Sequence, residues 1–357
     1  HDGLMKTFKA SKVKLIEGHG HFIDAQHIQV ETREGLQVVE GDYFIIATGS
    51  MTKWVPIQGL REVAIVPRSL MQMDELPESM CIIGGGVIGM EFASILGALG
   101  VKITILEATD QILGTLDRSI IKRARLAFKK QGIEIITGAK VISLYKNEAG
   151  VRVTYEDKQG MKEILCQQAM NAIGRAPLVE GLGLETAGIQ YEPWGIPTDD
   201  TFRTNKPHIY AIGDVTGKHM LAHQAYFAAE AVIHHISHGT SVPQPLIPGC
   251  VFTLPELAEV GYNEESATAA GITYTAYKSQ YGSNGKALAL GEREGQVKLL
   301  VDEKQQVIGA TIMGAHASIL IHECALAIQN GLTREQIMGT IHAQPTLSEL
   351  IVDSLHG

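Results

Sequence analysis

Apolar and polar positions alternate along much of the first fifty residues. The runs SKVKLIEGHGHF, HIQVET and GLQVVEGDYFIIATGS succeed one another between Gly and Asp, and predict the short strands of a meander over residues 10–50. A connection punctuated by Pro and Gly follows, residues 54–80. The period then changes. Residues 79–83 (SMCII) form a short apolar run that leads straight into GGGVIG at 84–89. Residues 90–99 read as a helix and 101–107 (VKITILE) as the next strand. Leu116, Ile120, Ile121, Ala124, Ala127 and Phe128 recur at helical spacing, so an amphipathic helix is predicted over 117–130. Gly132 is its natural stop and 133–136 a third strand. The order β-α-β-α-β is half of a doubly wound sheet.

Residues 141–170 return to hairpin-like alternation, and 181–243 are mixed, with a strand and turn at 209–214 and a helical run at 223–235. From residue 245 the text reads as a separate α+β domain. VKLLVD and VIGATIMG flank the turn-like 303–306, and SILIHECALAIQNG is a clear helix.

Composition narrows the function classes. A chain of 357 residues, 45% apolar and 19% charged, has material for two or three packed domains. A formal charge of −9 argues against non-specific binding to nucleic acid or an anionic membrane. No apolar run approaches membrane-spanning length, and the start, HDGLMKTFKASKVK, lacks the pattern of a signal peptide. Cys81, Cys166, Cys250 and Cys324 form no short-spaced pair, which fits reduced thiols in a reducing compartment, the cytoplasm or a mitochondrial matrix.

The glycine loop carries the chemistry. Gly84 permits a tight turn, Gly86 lets a pyrophosphate approach the backbone, and Gly89 lets the helix pack on the strand. The amides and dipole of the following helix then face the phosphates. Glu107, at the end of the next strand, is placed to accept hydrogen bonds from the adenosine 2′- and 3′-hydroxyls and to repel a 2′-phosphate. Ala108, Thr109, Asp110 and Gln111 offer no cation to hold one. NAD is therefore expected over NADP.

Four stretches complete an ordered series: ATGS at 47–50, the glycine loop with Glu91, AIGRAP at 172–177 and IYAIGD at 209–214. Together they resemble the class I pyridine nucleotide–disulfide oxidoreductases. The C-terminal part, with T-x-P-E-x-A-x-V-G at 253–261 and PTLSE at 345–349, is similar to the dihydrolipoamide dehydrogenases in particular. The resemblance implies an α/β fold: a Rossmann-like NAD domain (76–178) inserted in an FAD domain (1–75 and 179–244), then an α+β dimerisation domain (245–357). It assigns Gly84, Gly85, Gly86, Val87, Ile88, Gly89, Glu91 and Glu107 to NAD, with Val141 and Gly174 at the nicotinamide nucleotide. It puts Gly20, Thr48, Gly49 and Ser50 on the adenine side of FAD, Asp214 on the ribityl chain, and Leu221, Ala222 and His223 against the flavin. It also implies a homodimer, and a place among the components of a 2-oxoacid dehydrogenase complex.

Two departures qualify the resemblance. The family opens with its own FAD-binding glycine loop and a C-x-x-x-x-C redox pair, and neither occurs in these residues. The chain reads as a truncated FAD domain that begins after both, so FAD binding is expected to be weak or absent and the chain alone inactive. The second departure is Gln344. The family has a His there, paired with the acid that is Glu349 here, and an amide cannot act as a general base. His342 sits two residues away, on the same face but roughly 6.5 Å off if the segment is extended. Gln344 and Glu349 are the catalytic candidates. Three readings stay open: a dihydrolipoamide dehydrogenase-like enzyme, a same-fold transhydrogenase or metal-ion reductase, and a non-catalytic NAD-binding module. His234 and His238 have zinc-like i,i+4 spacing, but no third ligand lies nearby in sequence, so no metal is expected.

Overall fold

The computed structural model of the chain describes residues 2–356. They pack as two compact units, one of residues 2–51 and 175–244, the other of 52–174 and 245–356. The packing thus groups residues 52–75 and the C-terminal part with the glycine-loop segment.

In the first unit, His19–Phe22, His27–Thr32 and Gly35–Glu40 form an antiparallel meander in that order. Residues 11–18, read as strand from their alternation, are not one. Val13 and Leu15 stay 54% and 46% exposed, so the alternating pattern has no second layer to pack against. Asp2–Ala10 is a helix with no buried residue. Phe44–Ile46 pairs in parallel with Ile209–Ala211. Phe22, Phe44, Ile46, Leu184, Ile196 and Val215 form the core beneath, with the Phe22 and Phe44 rings edge to face at 5.3 Å. The helix Ala222–His238 packs a second small core through Ala228 and Val232 onto Tyr210 and Phe202.

The second unit contains the predicted doubly wound half. Four parallel strands run in the order Gln168–Asn171, Ser79–Ile83, Lys102–Glu107, Glu134–Thr137. Gln168–Asn171 returns to this sheet after a three-stranded antiparallel excursion, Lys140–Asn147, Gly150–Asp157 and Gly160–Cys166. Arg118–Lys130 forms the expected amphipathic helix. Asp117 caps it by accepting from the amides of Ser119 and Ile120, and its inner face is Ile120, Ile121, Ala124, Ala127 and Phe128.

The C-terminal part supplies a five-stranded antiparallel sheet, in the order Gly249–Val251, Leu257–Gly261, Val307–Met313, Gln296–Asp302, Tyr274–Gln280. The helices Ala317–Gln329 and Glu349–Leu355 cover it. Val251, Leu257 and Met313 also join the core under the parallel sheet, so the four-stranded and five-stranded sheets share one apolar cluster. Among the described residues no helix is long and apolar enough to cross a membrane.

Candidate functional site

The strand Ser79–Ile83 delivers the chain to Gly84 at φ +110°, where an added Cβ would lie 2.4 Å from the Ala172 carbonyl oxygen. A Cβ at Gly89 would stand 2.0 Å from the Gly84 oxygen, so the helix can rest on the turn only without one. Gly86 is different. Its φ is −74°, and a Cβ there would meet no protein atom within 4 Å. Nothing in the protein requires glycine at 86, and an approaching pyrophosphate would. The helix Val87–Ala98 begins without a side-chain cap, so its first-turn amides remain open to an anion.

Glu107 is tied to this loop. Its Oε2 accepts from the Gly85 amide at 2.7 Å and its Oε1 from the Thr109 amide at 2.8 Å. The Thr109 hydroxyl lies 2.8 Å from Oε1 and 2.9 Å from the Gln111 carbonyl, but it has a single proton to give. When that proton goes to Gln111, each carboxylate oxygen retains a lone pair, one for each ribose hydroxyl. A cleft of about 580 Å³ opens at this point, lined by Gly84, Glu107, Ala108, Lys140, Val141 and Ile173 with Val55 and Ile57. Its size suits a small-molecule site. These residues fit a dinucleotide: a phosphate cradle, open amides and a hydroxyl acceptor on one cleft.

Three details differ from the picture drawn from sequence. The amides of Gly85 and Thr109 fix the acid, contacts that the spacing of motifs does not show. Glu91 turns its carboxylate to the Phe252 amide, accepting at 2.9 Å, and so anchors the loop's helix to the C-terminal part. Lys140, distant in sequence from Glu107, lines the same cleft and is a cation that the residues following Glu107 do not show. Gly174 adopts φ +146° and accepts from the Lys53 amide at 3.0 Å. Because Glu107 is fixed by two amides while Lys140 is an exposed, flexible cation, NADH should bind at least about tenfold tighter than NADPH (about 1.4 kcal/mol). Titration of both cofactors checks this, and equal affinities would mean that Lys140 outweighs the acid.

In the first unit the flavin-side candidates gather at the end of the two-stranded parallel pair. Thr48 donates its hydroxyl to the Leu178 carbonyl at 2.8 Å, and Gly49, at φ +74°, accepts from the Leu178 amide at 3.0 Å. The Ser50 hydroxyl donates to Asp214 Oδ2, and Arg175 donates from Nε to that hydroxyl and from Nη2 to the Ser50 carbonyl, both at 2.5 Å. Gly213 lets the Asp214 turn sit against the helix that starts at Ala222: a Cβ on it would come within 3.2 Å of Ala225 Cβ. Leu221 caps that helix with no side-chain bond, Ala222 and His223 are exposed on its first turn, and Gln224 Oε1 is buried without a hydrogen-bond partner among the described residues. An acceptor for ribityl hydroxyls, uncapped amides and an unsatisfied amide oxygen fit one end of FAD. Gly20 sits on the meander opposite Val30. The G-x-G-x-x-G loop between strand and helix occurs once among the described residues, at 84–89.

At the C-terminal end Gln344 is exposed and Glu349 half-buried, and no hydrogen bond joins them; Glu349 Oε2 instead accepts from the Thr346 amide at 2.8 Å. His342 Nδ1 lies 2.9 Å from the Thr340 carbonyl and Nε2 2.7 Å from Glu323 Oε1. Both partners are acceptors, so both ring nitrogens donate and the ring is an imidazolium when both bonds are made. Burial works against that charge, but the hydrogen bonds to Glu323 and Thr340, with the negative charges of Glu323 and Glu349, together outweigh it and hold the His342 pKa above the ordinary value. His342 is thereby spent on its own partners. All four cysteines are free, and burial pushes their thiols up, Cys324 to about 12, which makes none of them a ready nucleophile. Among the described residues no group of three or more His, Cys, Asp or Glu could hold a metal. The His234 and His238 rings stack at 4.5 Å on the helix end.

Residues 1–229 match the family described as pyridine nucleotide-disulphide oxidoreductase, and residues 247–355 match its dimerisation domain. The chain belongs to this family. A dihydrolipoyl dehydrogenase of Geobacillus stearothermophilus is 37% identical over 358 residues, covering 99% of this chain and 76% of that protein. The mitochondrial dihydrolipoyl dehydrogenase 1 of Arabidopsis thaliana is 35% identical over 99% of this chain and 71% of its own length. Among solved structures, the HOCl-induced flavoprotein disulfide reductase RclA of Escherichia coli superposes with a TM-score of 0.92 at 27% identity, over 99% of this chain and 82% of RclA. LpdA of Mycobacterium tuberculosis does so with 0.91 at 28%, over 99% and 79%. The fold class expected from sequence, a Rossmann-like NAD domain with an FAD domain and a dimerisation domain, is thus that of flavoprotein disulfide reductases. The chain is an oxidoreductase of the type that links a dithiol or disulfide, FAD and NAD.

Proposed function

We propose that the protein is a dihydrolipoamide dehydrogenase-type enzyme, passing electrons from a dithiol through a disulfide and FAD to NAD. The observation that carries this reading is Glu107, held by the glycine loop's own amide beside an open helix N-terminus, in a chain whose relatives of 35–37% identity bear that name. Bound FAD supplies the two-electron exchange between dithiol and nicotinamide. The chain's own residues bind and orient the two cofactors. Gly84, Gly85, Gly86, Val87, Ile88 and Gly89 seat the NAD pyrophosphate, Glu107 reads the adenosine ribose, and Val141 and Gly174 border the nicotinamide half. Asp214, with the Leu221–His223 turn, orients the flavin from the ribityl side, while Gly20, Thr48, Gly49 and Ser50 face its adenine side.

The active unit in this reading is a homodimer, in which Glu349 lies near the partner's flavin, and which serves a 2-oxoacid dehydrogenase complex in a reducing compartment. The apolar positions that Ile319, Leu326 and Ile341 leave 65%, 65% and 97% exposed suit such an interface. Gln344 favours a second reading, a same-fold reductase with another electron acceptor, because an amide cannot take a thiol proton. Dihydrolipoamide-dependent reduction of NAD by the flavin-loaded full-length gene product tests the first against the second. NAD reduction with dihydrolipoamide supports the first; brisk dye reduction by NADH with no dithiol activity supports the second. The 357 residues alone should hold FAD weakly or not at all. Flavin that stays with them in stoichiometric amount through desalting would overturn that expectation.

A further inference from the structure

Asp214 has a dedicated support in Ser50 and Arg175. The Ser50 hydroxyl has one hydrogen, and it goes to Asp214 Oδ2. One of its two lone pairs then accepts from Arg175 Nε at 2.5 Å, while Arg175 Nη2 grips the Ser50 carbonyl at the same distance. The guanidinium also lies 3.8 Å from Asp214 Oδ2 directly. A planar fork on one residue's backbone and side chain is an arrangement that Arg makes and Lys cannot reproduce. Oδ2 is therefore fixed by the relay, and Oδ1 is left to face a ligand with no hydrogen bond of its own among the described residues.

We propose that Arg175 is a positioning residue for Asp214, acting through Ser50, and that it sets both the affinity for FAD and the flavin's midpoint potential. The inference rests on the flavoenzyme reading above. Its physical content is twofold. The relay removes the rotational freedom of the Asp214 carboxylate before FAD arrives, so less order is lost on binding. The cation also offsets the carboxylate's charge where an anionic dinucleotide must bind and where reduction adds negative charge to the flavin. With side chains 37% and 25% exposed, the pair is partly screened, so the positioning effect should exceed the charge effect.

The test uses the full-length gene product as purified with its flavin, then stripped and reconstituted. Arg175→Met should raise the dissociation constant for FAD about tenfold and shift the midpoint potential to more negative values. Arg175→Lys, which keeps charge but loses the fork, should restore the potential more fully than the affinity. Ser50→Ala should weaken FAD binding while leaving the potential closer to that of the wild type. In an Asp214→Asn background, Arg175→Met should have little further effect on either. NADH affinity of the flavin-free protein reads the other unit and should not move; a fall there in step with FAD would mark general unfolding and overturn the proposal. Wild-type affinity and potential in Arg175→Met would also overturn it. A wild-type protein that binds no FAD at all would instead defeat the flavoenzyme reading on which it rests.

Discussion

Lys298→Met should cost the protein about 3–5 kcal/mol of stability, the range for breaking one partner out of a buried ion pair. Lys298 lies on the Gln296–Asp302 strand and is 1% exposed, and its three N–H donors meet three acceptors. Asp117 Oδ2 lies at 2.5 Å, Glu264 Oε2 at 2.6 Å and Ser119 Oγ at 2.7 Å. Asp117 is fully buried and caps the Arg118–Lys130 helix with its other oxygen, so the methionine variant leaves a charged cap in the interior with no cation. At roughly 2–4 °C per kcal/mol for a unit of this size, the melting midpoint should fall by about 10 °C. Adding Asp117→Asn should recover part of the loss, because Asn keeps the capping oxygen and removes the stranded charge. A loss under about 1 kcal/mol in urea unfolding would show that the cluster does not hold the NAD-binding part to the C-terminal sheet.

The same cluster has a definite pH signature. Burial alone would raise the Asp117 carboxyl, but hydrogen bonds from Lys298 and Ser119 hold it below the ordinary 3.8. A depressed carboxylate adds stability that is present above its unfolded value and is lost as pH falls through the folded one. Its contribution should therefore persist to about pH 4 and disappear below. Glu259 is bonded to the Asp117 amide in the same network and is shifted the other way, raised chiefly by burial, so its contribution weakens as pH rises past its unfolded value.

Gln344→His should raise dithiol oxidation by about 10²–10⁴-fold in the full-length protein, the usual contribution of a general base. Gln344 is exposed and makes no hydrogen bond that the substitution would break among the described residues. Glu349 uses one oxygen on the Thr346 amide and has the other available to orient an imidazole. His342 cannot fill the role as it stands, since Glu323 and Thr340 occupy its two nitrogens. NADH oxidation by an artificial dye draws electrons from the flavin and needs no thiol base, so it should hardly change. Unchanged dithiol oxidation beside healthy dye reduction would move the alternative-acceptor reading ahead.

Sequence patterns show most of what is local. The glycine loop, the acid at the next strand's end, the Arg118–Lys130 helix and the Gln296–Asp302 to Val307–Met313 hairpin all sit where periodicity and spacing place them. Contacts made by distant segments were not legible. Lys140 reaches the Glu107 cleft only because the sheet brings two strand ends together, and Lys298 meets Asp117 across 181 positions. The Arg175–Ser50–Asp214 relay likewise joins three separated motifs, each readable, through contacts that are not. Residues 11–18 mislead in the opposite direction, since alternation predicts a strand only where one face has something to cover.

The central claim is that the flavin-loaded protein passes electrons between NAD and its flavin. An anaerobic titration of the flavin-loaded full-length protein with NADH tests it most directly, read as loss of the oxidised flavin absorbance. Full bleaching by NADH, with NADPH needing at least about tenfold more cofactor to match it, is the expected result. A flavin that stays oxidised in excess NADH would contradict the claim, whatever the fold and the family resemblance.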